Sequence, residues 1–158
     1  LERISQLSKE NPNMVFTSIG HLINKEMLKK CHETMQKDKA TGIDGKTRPL
    51  SIYCYEDKLV QEALRRILEA VYEPHFYDEM MGFRPNRSCH KALKLLNTMI
   101  ENNNTNYILD ADIKGFFDNL DHEWIIKFVE SRIKDANITR LMRRMLKAGI
   151  MKDYKSEK

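Results

Sequence analysis

A chain of 158 residues with an apolar fraction of 41% can bury one ordinary hydrophobic core, which excludes a wholly disordered protein. No apolar run approaches membrane-spanning length and residues 1–13 lack the basic-then-apolar order of a signal peptide, so the expectation is a soluble cytoplasmic protein with no membrane partner. The net charge of +4 permits a polyanionic partner without demanding one, and Cys31, Cys54 and Cys89 stand too far apart for a disulfide frame or a zinc site.

Ile19, Leu22, Ile23, Met27, Cys31 and Met35 recur at helical spacing, which predicts a first substantial helix over about 19–36. Thr41-Gly42-Ile43-Asp44-Gly45 then reads as a tight loop. Lys46-Thr47-Arg48-Pro49-Leu50-Ser51-Ile52-Tyr53 is extended by composition, because Pro49 pushes Arg48 toward β geometry. Leu59, Val60, Ala63, Leu64, Ile67, Leu68 and Val71 line a second helix that stops near Glu73-Pro74. Gly82-Phe83-Arg84-Pro85-Asn86-Arg87-Ser88 is a rigid loop. Its arginines offer planar forks suited to phosphate, although a solvated loop is the plainer reading. Ser88 caps a helix through Ala92, Leu93, Leu96 and Ile100.

The most informative stretch follows. Tyr107-Ile108-Leu109 reads as a buried strand after an Asn-rich turn, and Asp110, Asp112, Asp118 and Asp121 cluster behind it, the last poised to cap a helix. Carboxylates at the end of a buried strand stay ionised only beside positive charge, and a hard divalent cation such as Mg²⁺ supplies it. Such a site points to phosphoryl chemistry. Two other readings stand beside it. Asp110, Asp112, Gly115, Asp118 and Asp121 fall at positions one, three, six, nine and twelve of a calcium loop, but Lys114 sits where an oxygen is wanted, position twelve is Asp rather than Glu, and no helix runs into the loop. Acidic residues also turn chains and cap helices with no further role. Beyond the turn, Trp124, Ile125, Phe128, Val129 and Ile133 predict a fourth helix. Ile138, Leu141, Met142, Met145 and Leu146 predict a fifth, which Gly149 would end and on which Arg140, Arg143, Arg144 and Lys147 share a face.

Taken in order, Thr41-Gly42-Ile43-Asp44-Gly45, Arg48-Pro49-Leu50, Gly82-Phe83-Arg84-Pro85-Asn86-Arg87-Ser88 and Asp112-Ile113-Lys114-Gly115-Phe116-Phe117-Asp118 resemble the reverse transcriptases encoded by group II introns. The resemblance implies an α+β fold: the fingers and partial palm of a right-hand polymerase, helix-rich with a small antiparallel sheet. It divides the chain into an N-terminal extension and start of the fingers at 1–45, fingers at 46–105 and partial palm at 106–158. It implies an RNA-directed DNA polymerase that also assists splicing as a maturase, in a bacterial or organellar setting. Its partners would be group II intron RNA, an RNA template and a DNA primer.

Residue by residue, the resemblance makes Asp112 catalytic and a metal ligand, with the backbone carbonyl of Ile113 completing its part of a two-Mg²⁺ site. Lys46, Arg48 and Phe117 would hold the incoming deoxynucleoside triphosphate, Phe117 as the wall that disfavours a 2′-hydroxyl. Leu50, Ile52, Arg84, Pro85 and Arg87 would line the template. Two departures stand out: Gly45 runs straight into Lys46 where the family has a helix and a strand, and no Tyr-x-Asp-Asp motif occurs. The expectation is therefore a fragment, inactive as a polymerase by itself, whose open sheet edge invites a homodimer. A non-catalytic module that positions intron RNA is the alternative.

Overall fold

A computed structural model describes residues 1–35, 55–103 and 105–148, with the backbone alone at Asp118. Lys46, Arg48, Leu50, Ile52, the loop at 41–45 and Gly149 lie outside the described residues. The described chain forms six α-helices: α1 (Glu2–Glu10), α2 (Lys25–Thr34), α3 (Tyr55–Tyr72), α4 (Cys89–Asn102), α5 (His122–Glu130) and α6 (Ala136–Lys147).

The fold is assembled on α3. Its apolar residues at helical spacing bury Ala63, Leu64, Ile67, Ala70 and Val71, and both α1 and α2 pack against it. Leu64, Ile67 and Val71 meet Ile126 and Val129 of α5, Ile138 and Met142 of α6, and the loop residues Phe16, Ile19 and Ile133, closing one core. The helix ends where the sequence requires: Pro74 turns the chain into a single 3₁₀ turn at Glu73–His75.

Three connections far apart in sequence fix the remainder. Phe16 and Ile133 form a parallel bridge, with the Phe16 N–H donating to Arg132 O at 2.7 Å and the Lys134 N–H to Phe16 O at 2.8 Å. The Asp135 carboxylate accepts from the backbone N–H groups of Ile19 and Gly20, each at 2.7 Å, while its other oxygen caps α6 through Asn137 at 2.9 Å and Ile138 at 3.4 Å. A Cβ on Gly20 would meet Asp135 Oδ1 and Asn137 Cβ at 3.1 Å, so the close approach depends on glycine. The buried Ser8 hydroxyl donates to Val71 O at 2.6 Å and sits 2.9 Å from His75 Nε2, which accepts from Arg132 Nη2 at 2.8 Å.

Four expectations are corrected. Among the described residues there is no strand and hence no antiparallel sheet, so the fold is helical where α+β was expected, and a sheet edge no longer argues for a homodimer. Tyr107 and Leu109, expected in a buried strand, are 93% and 92% exposed, and no strand among the described residues pairs with their backbone. The first helix is split: Gly20–Leu22 forms a 3₁₀ turn and α2 begins only at Lys25, where Asn24 Oδ1 accepts the Met27 N–H at 3.0 Å. In α5 the buried face carries Ile126 and Val129, whereas Trp124 and Phe128 are exposed, because apolar residues surround this helix and spacing alone does not select a face.

Candidate functional site

The acidic turn is built from a loop, a glycine and a cap. Asp110, Asp112 and Ile113 lie in an exposed, non-helical segment that leads into a turn at 114–116 and a 3₁₀ turn at Phe117–Asn119. Gly115 has φ +61°, and its carbonyl accepts both the Asn119 side-chain amide at 2.8 Å and the Asn119 N–H at 3.1 Å. That closure presents Phe117 outward, 79% exposed, with its ring edge-on to Phe116 at 5.3 Å. Asp121 then caps α5, its Oδ1 accepting from Glu123 N–H at 2.8 Å and Trp124 N–H at 3.3 Å.

The carboxylates of Asp110 and Asp112 are open to water, so burial does not force a counter-ion on them, which corrects that part of the sequence argument. The donors are still chemically suited to Mg²⁺: hard carboxylate and carbonyl oxygens, of which that ion uses few from protein and the remainder from water and phosphate. Among the described residues no group of three or more His, Cys, Asp or Glu side chains converges. The calcium loop fares worse. α4 stops at Asn102, well before Asp110, and the segment between them is not a helix running into the loop.

The arginine loop has a different construction. Arg84 is turned inward, its side chain only 7% exposed. Its Nε donates to the two Glu73 carboxylate oxygens at 3.0 and 3.2 Å and Nη2 lies 2.9 Å from Oε1. Nη1 donates to Tyr77 O and, at 2.8 Å, to Met80 O, while the guanidinium carbon sits 5.4 Å from the Phe76 ring centroid. Arg87 faces outward, bonded at 2.8 Å to Asp78, a carboxylate that is itself exposed. Phe83 is fully exposed at φ +56°, and Asn86 has φ +58° with its carbonyl accepting from Lys91 Nζ at 2.7 Å. Pro85 and Phe83 border an open, mainly apolar groove of about 530 Å³ floored by Leu64, Leu68, Tyr72 and Met145.

Of the predicted residues that are described, Asp112, Ile113 and Phe117 share the acidic turn, and Arg84, Pro85 and Arg87 share the loop before α4. Of the basic face of α6, Arg143 is engaged with Glu123 at 3.1 Å and Glu130 at 3.7 Å, and Arg140 donates to Asn137 at 3.2 Å. Sequence reasoning missed Glu73, whose partner Arg84 is separated from it by a loop. The signal was weak: an acid placed just before Pro74 at a helix end.

These elements define a helical scaffold that presents an oxygen-donor turn and a stiffened arginine loop, and comparison with known proteins gives its class. The model of the reverse transcriptase (RNA-dependent DNA polymerase) family matches residues 28–158, and the chain belongs to that family. Its likeness is to the group II intron-encoded members. It is 45% identical over 113 residues to the group II intron-encoded protein LtrA of Lactococcus lactis subsp. cremoris, covering 72% of this chain and 18% of that protein. An uncharacterized 91 kDa protein in the cob intron of Schizosaccharomyces pombe is 46% identical over 114 residues, 72% of this chain and 14% of that one. Nuclear intron maturase 2, mitochondrial, of Arabidopsis thaliana is 28% identical over 117 residues, 73% of this chain and 15% of that one. The chain thus spans less than a fifth of these relatives. Among the described residues no helix is long and apolar enough to cross a membrane.

Proposed function

We propose that this chain is the N-terminal extension, fingers and first part of the palm of a group II intron-encoded reverse transcriptase, divided at 1–45, 46–105 and 106–158. The whole protein would copy intron RNA into DNA and assist splicing as a maturase, in a bacterial cytoplasm or an organelle. The family match across residues 28–158, which takes in the exposed turn from Asp112 to Phe117, carries the reading.

In this reading the Asp112 carboxylate and the Ile113 carbonyl hold Mg²⁺ together with ligands from elsewhere in a longer protein. Bound there, the metal would activate a primer 3′-hydroxyl and stabilise the departing diphosphate. Lys46 and Arg48 hold the triphosphate, and Phe117 stands under the sugar as a steric wall. Leu50 and Ile52 line the template together with the loop that carries Pro85, Arg87 and the inward-turned Arg84. Primer extension on an RNA template tests the reading in the protein that carries this chain. Deoxynucleotides should be incorporated and ribonucleotides refused, and Phe117→Ala should admit ribonucleotides with little loss of deoxynucleotide use. Ribonucleotide discrimination unchanged in Phe117→Ala would remove Phe117 from the site. The alternative reading is an RNA-positioning module without chemistry. That reading expects no extension at all.

A further inference from the structure

Arg84 is an arginine in a loop assigned to the template, yet its guanidinium does not face solvent. Nε, Nη1 and Nη2 all carry hydrogen bonds or ion-pair contacts to protein oxygens, and Phe76 lies against its carbon. A phosphate would have to compete for this group with the Glu73 carboxylate and two backbone carbonyls. The neighbouring residues show the opposite arrangement. Phe83 is fully exposed in a left-handed conformation that a bulky side chain rarely adopts, and such strain persists only where the surroundings impose it. Arg84 is the adjacent residue, and its bonds tie the loop back to three residues that precede it, Glu73, Tyr77 and Met80.

We propose that Arg84 is a positioning residue: by tying Glu73 to the Tyr77 and Met80 carbonyls it holds the 82–87 loop so that Phe83 and Arg87 meet single-stranded RNA, while Arg84 itself touches none. An exposed aromatic face takes an unpaired base by stacking, whatever its sequence. Arg87 can exchange the exposed Asp78 carboxylate for a backbone phosphate. The assignment of RNA as the ligand rests on the function proposed above; the loop-holding role stands on the geometry alone.

The test compares Arg84→Ala, Arg84→Lys, Glu73→Ala and the double variant Glu73→Ala/Arg84→Ala with the parent chain, each first checked for parent-like helicity. Two quantities are read: the rate of chymotryptic and tryptic cutting at Phe83 and Arg87, and the affinity for a fluorescent single-stranded RNA. Holding of the loop through the pair predicts that Arg84→Ala and Glu73→Ala each speed cutting about tenfold and weaken RNA binding by a similar factor, the double variant being no worse than either. Arg84→Lys should not rescue, since an ammonium cannot reproduce a planar fork between a carboxylate and two carbonyls.

A direct contact predicts the reverse sign. Glu73→Ala would free the guanidinium and tighten RNA binding, Arg84→Lys would keep most of the affinity, and cutting would stay at the parent rate; that pattern overturns the proposal. If the parent chain binds no RNA, the proposed function fails, and the cutting rates still decide whether Arg84 holds the loop. Should a variant lose helicity, Glu73→Gln, which keeps the shape and removes the charge, is read in its place against the same two outcomes.

Discussion

Asp135 shows how one buried carboxylate closes a small helical fold. Burial pushes its pKa up, but N–H groups of Gly20, Asn137, Ile19 and Ile138 favour the ionised form and hold it below the ordinary value of 3.8. A lowered folded-state pKa contributes stability that is complete above the unfolded value and is lost as pH falls through the folded one. Urea unfolding should therefore show a fall in stability below about pH 4 that flattens in Asp135→Ala. At neutral pH that variant should lose about 2–4 kcal/mol, since removing the acceptor strands several buried donors. A loss below about 0.5 kcal/mol would mean the Ile19 and Gly20 amides find other partners. Asp135 was not legible beforehand, because the residues it joins lie far apart in the chain. The Asp121 cap was legible, because cap and helix are adjacent.

At the scale of elements, helices were readable and the sheet was not. A helix satisfies its backbone locally, so spacing in α3 and the Ser88 cap of α4 predicted both correctly. A strand is stable only beside another, and the apolar run at 107–109 carries no information about whether a partner is present. Burial failed in the same way: α4 forms with its apolar residues at helical spacing, yet none of them is buried among the described residues. The acidic turn is held by Gly115 at φ +61°, where a Cβ would also meet Asn119 Nδ2 at 3.0 Å. Gly115→Ala should loosen this turn at a cost of about 1–2 kcal/mol. Chymotryptic cutting at Phe116 and Phe117 should quicken while α3 keeps its amide protection. Unchanged cutting would show that the turn does not depend on the left-handed glycine.

For the whole molecule, the match to the reverse transcriptase family and the ordered motif blocks agree, and among the described residues no three His, Cys, Asp or Glu side chains converge. Its motif assigns Asp112 a metal-ligand role, which the extension assay below tests, and the chain spans less than a fifth of the relatives compared above. Several basic residues are already paired with carboxylates: Arg84 inside the fold with Glu73, and Arg87 and Arg143 nearer the surface with Asp78 and Glu123. Charge alone therefore overstates the surface available to RNA. The most direct measurement is Mg²⁺-dependent extension of a DNA primer on an RNA template by the protein carrying this chain, parent against Asp112→Ala, with RNA affinity measured alongside. Extension should vanish in the variant while its RNA affinity stays at the parent value. Extension that survives Asp112→Ala would contradict the assignment of Asp112 to the reacting centre.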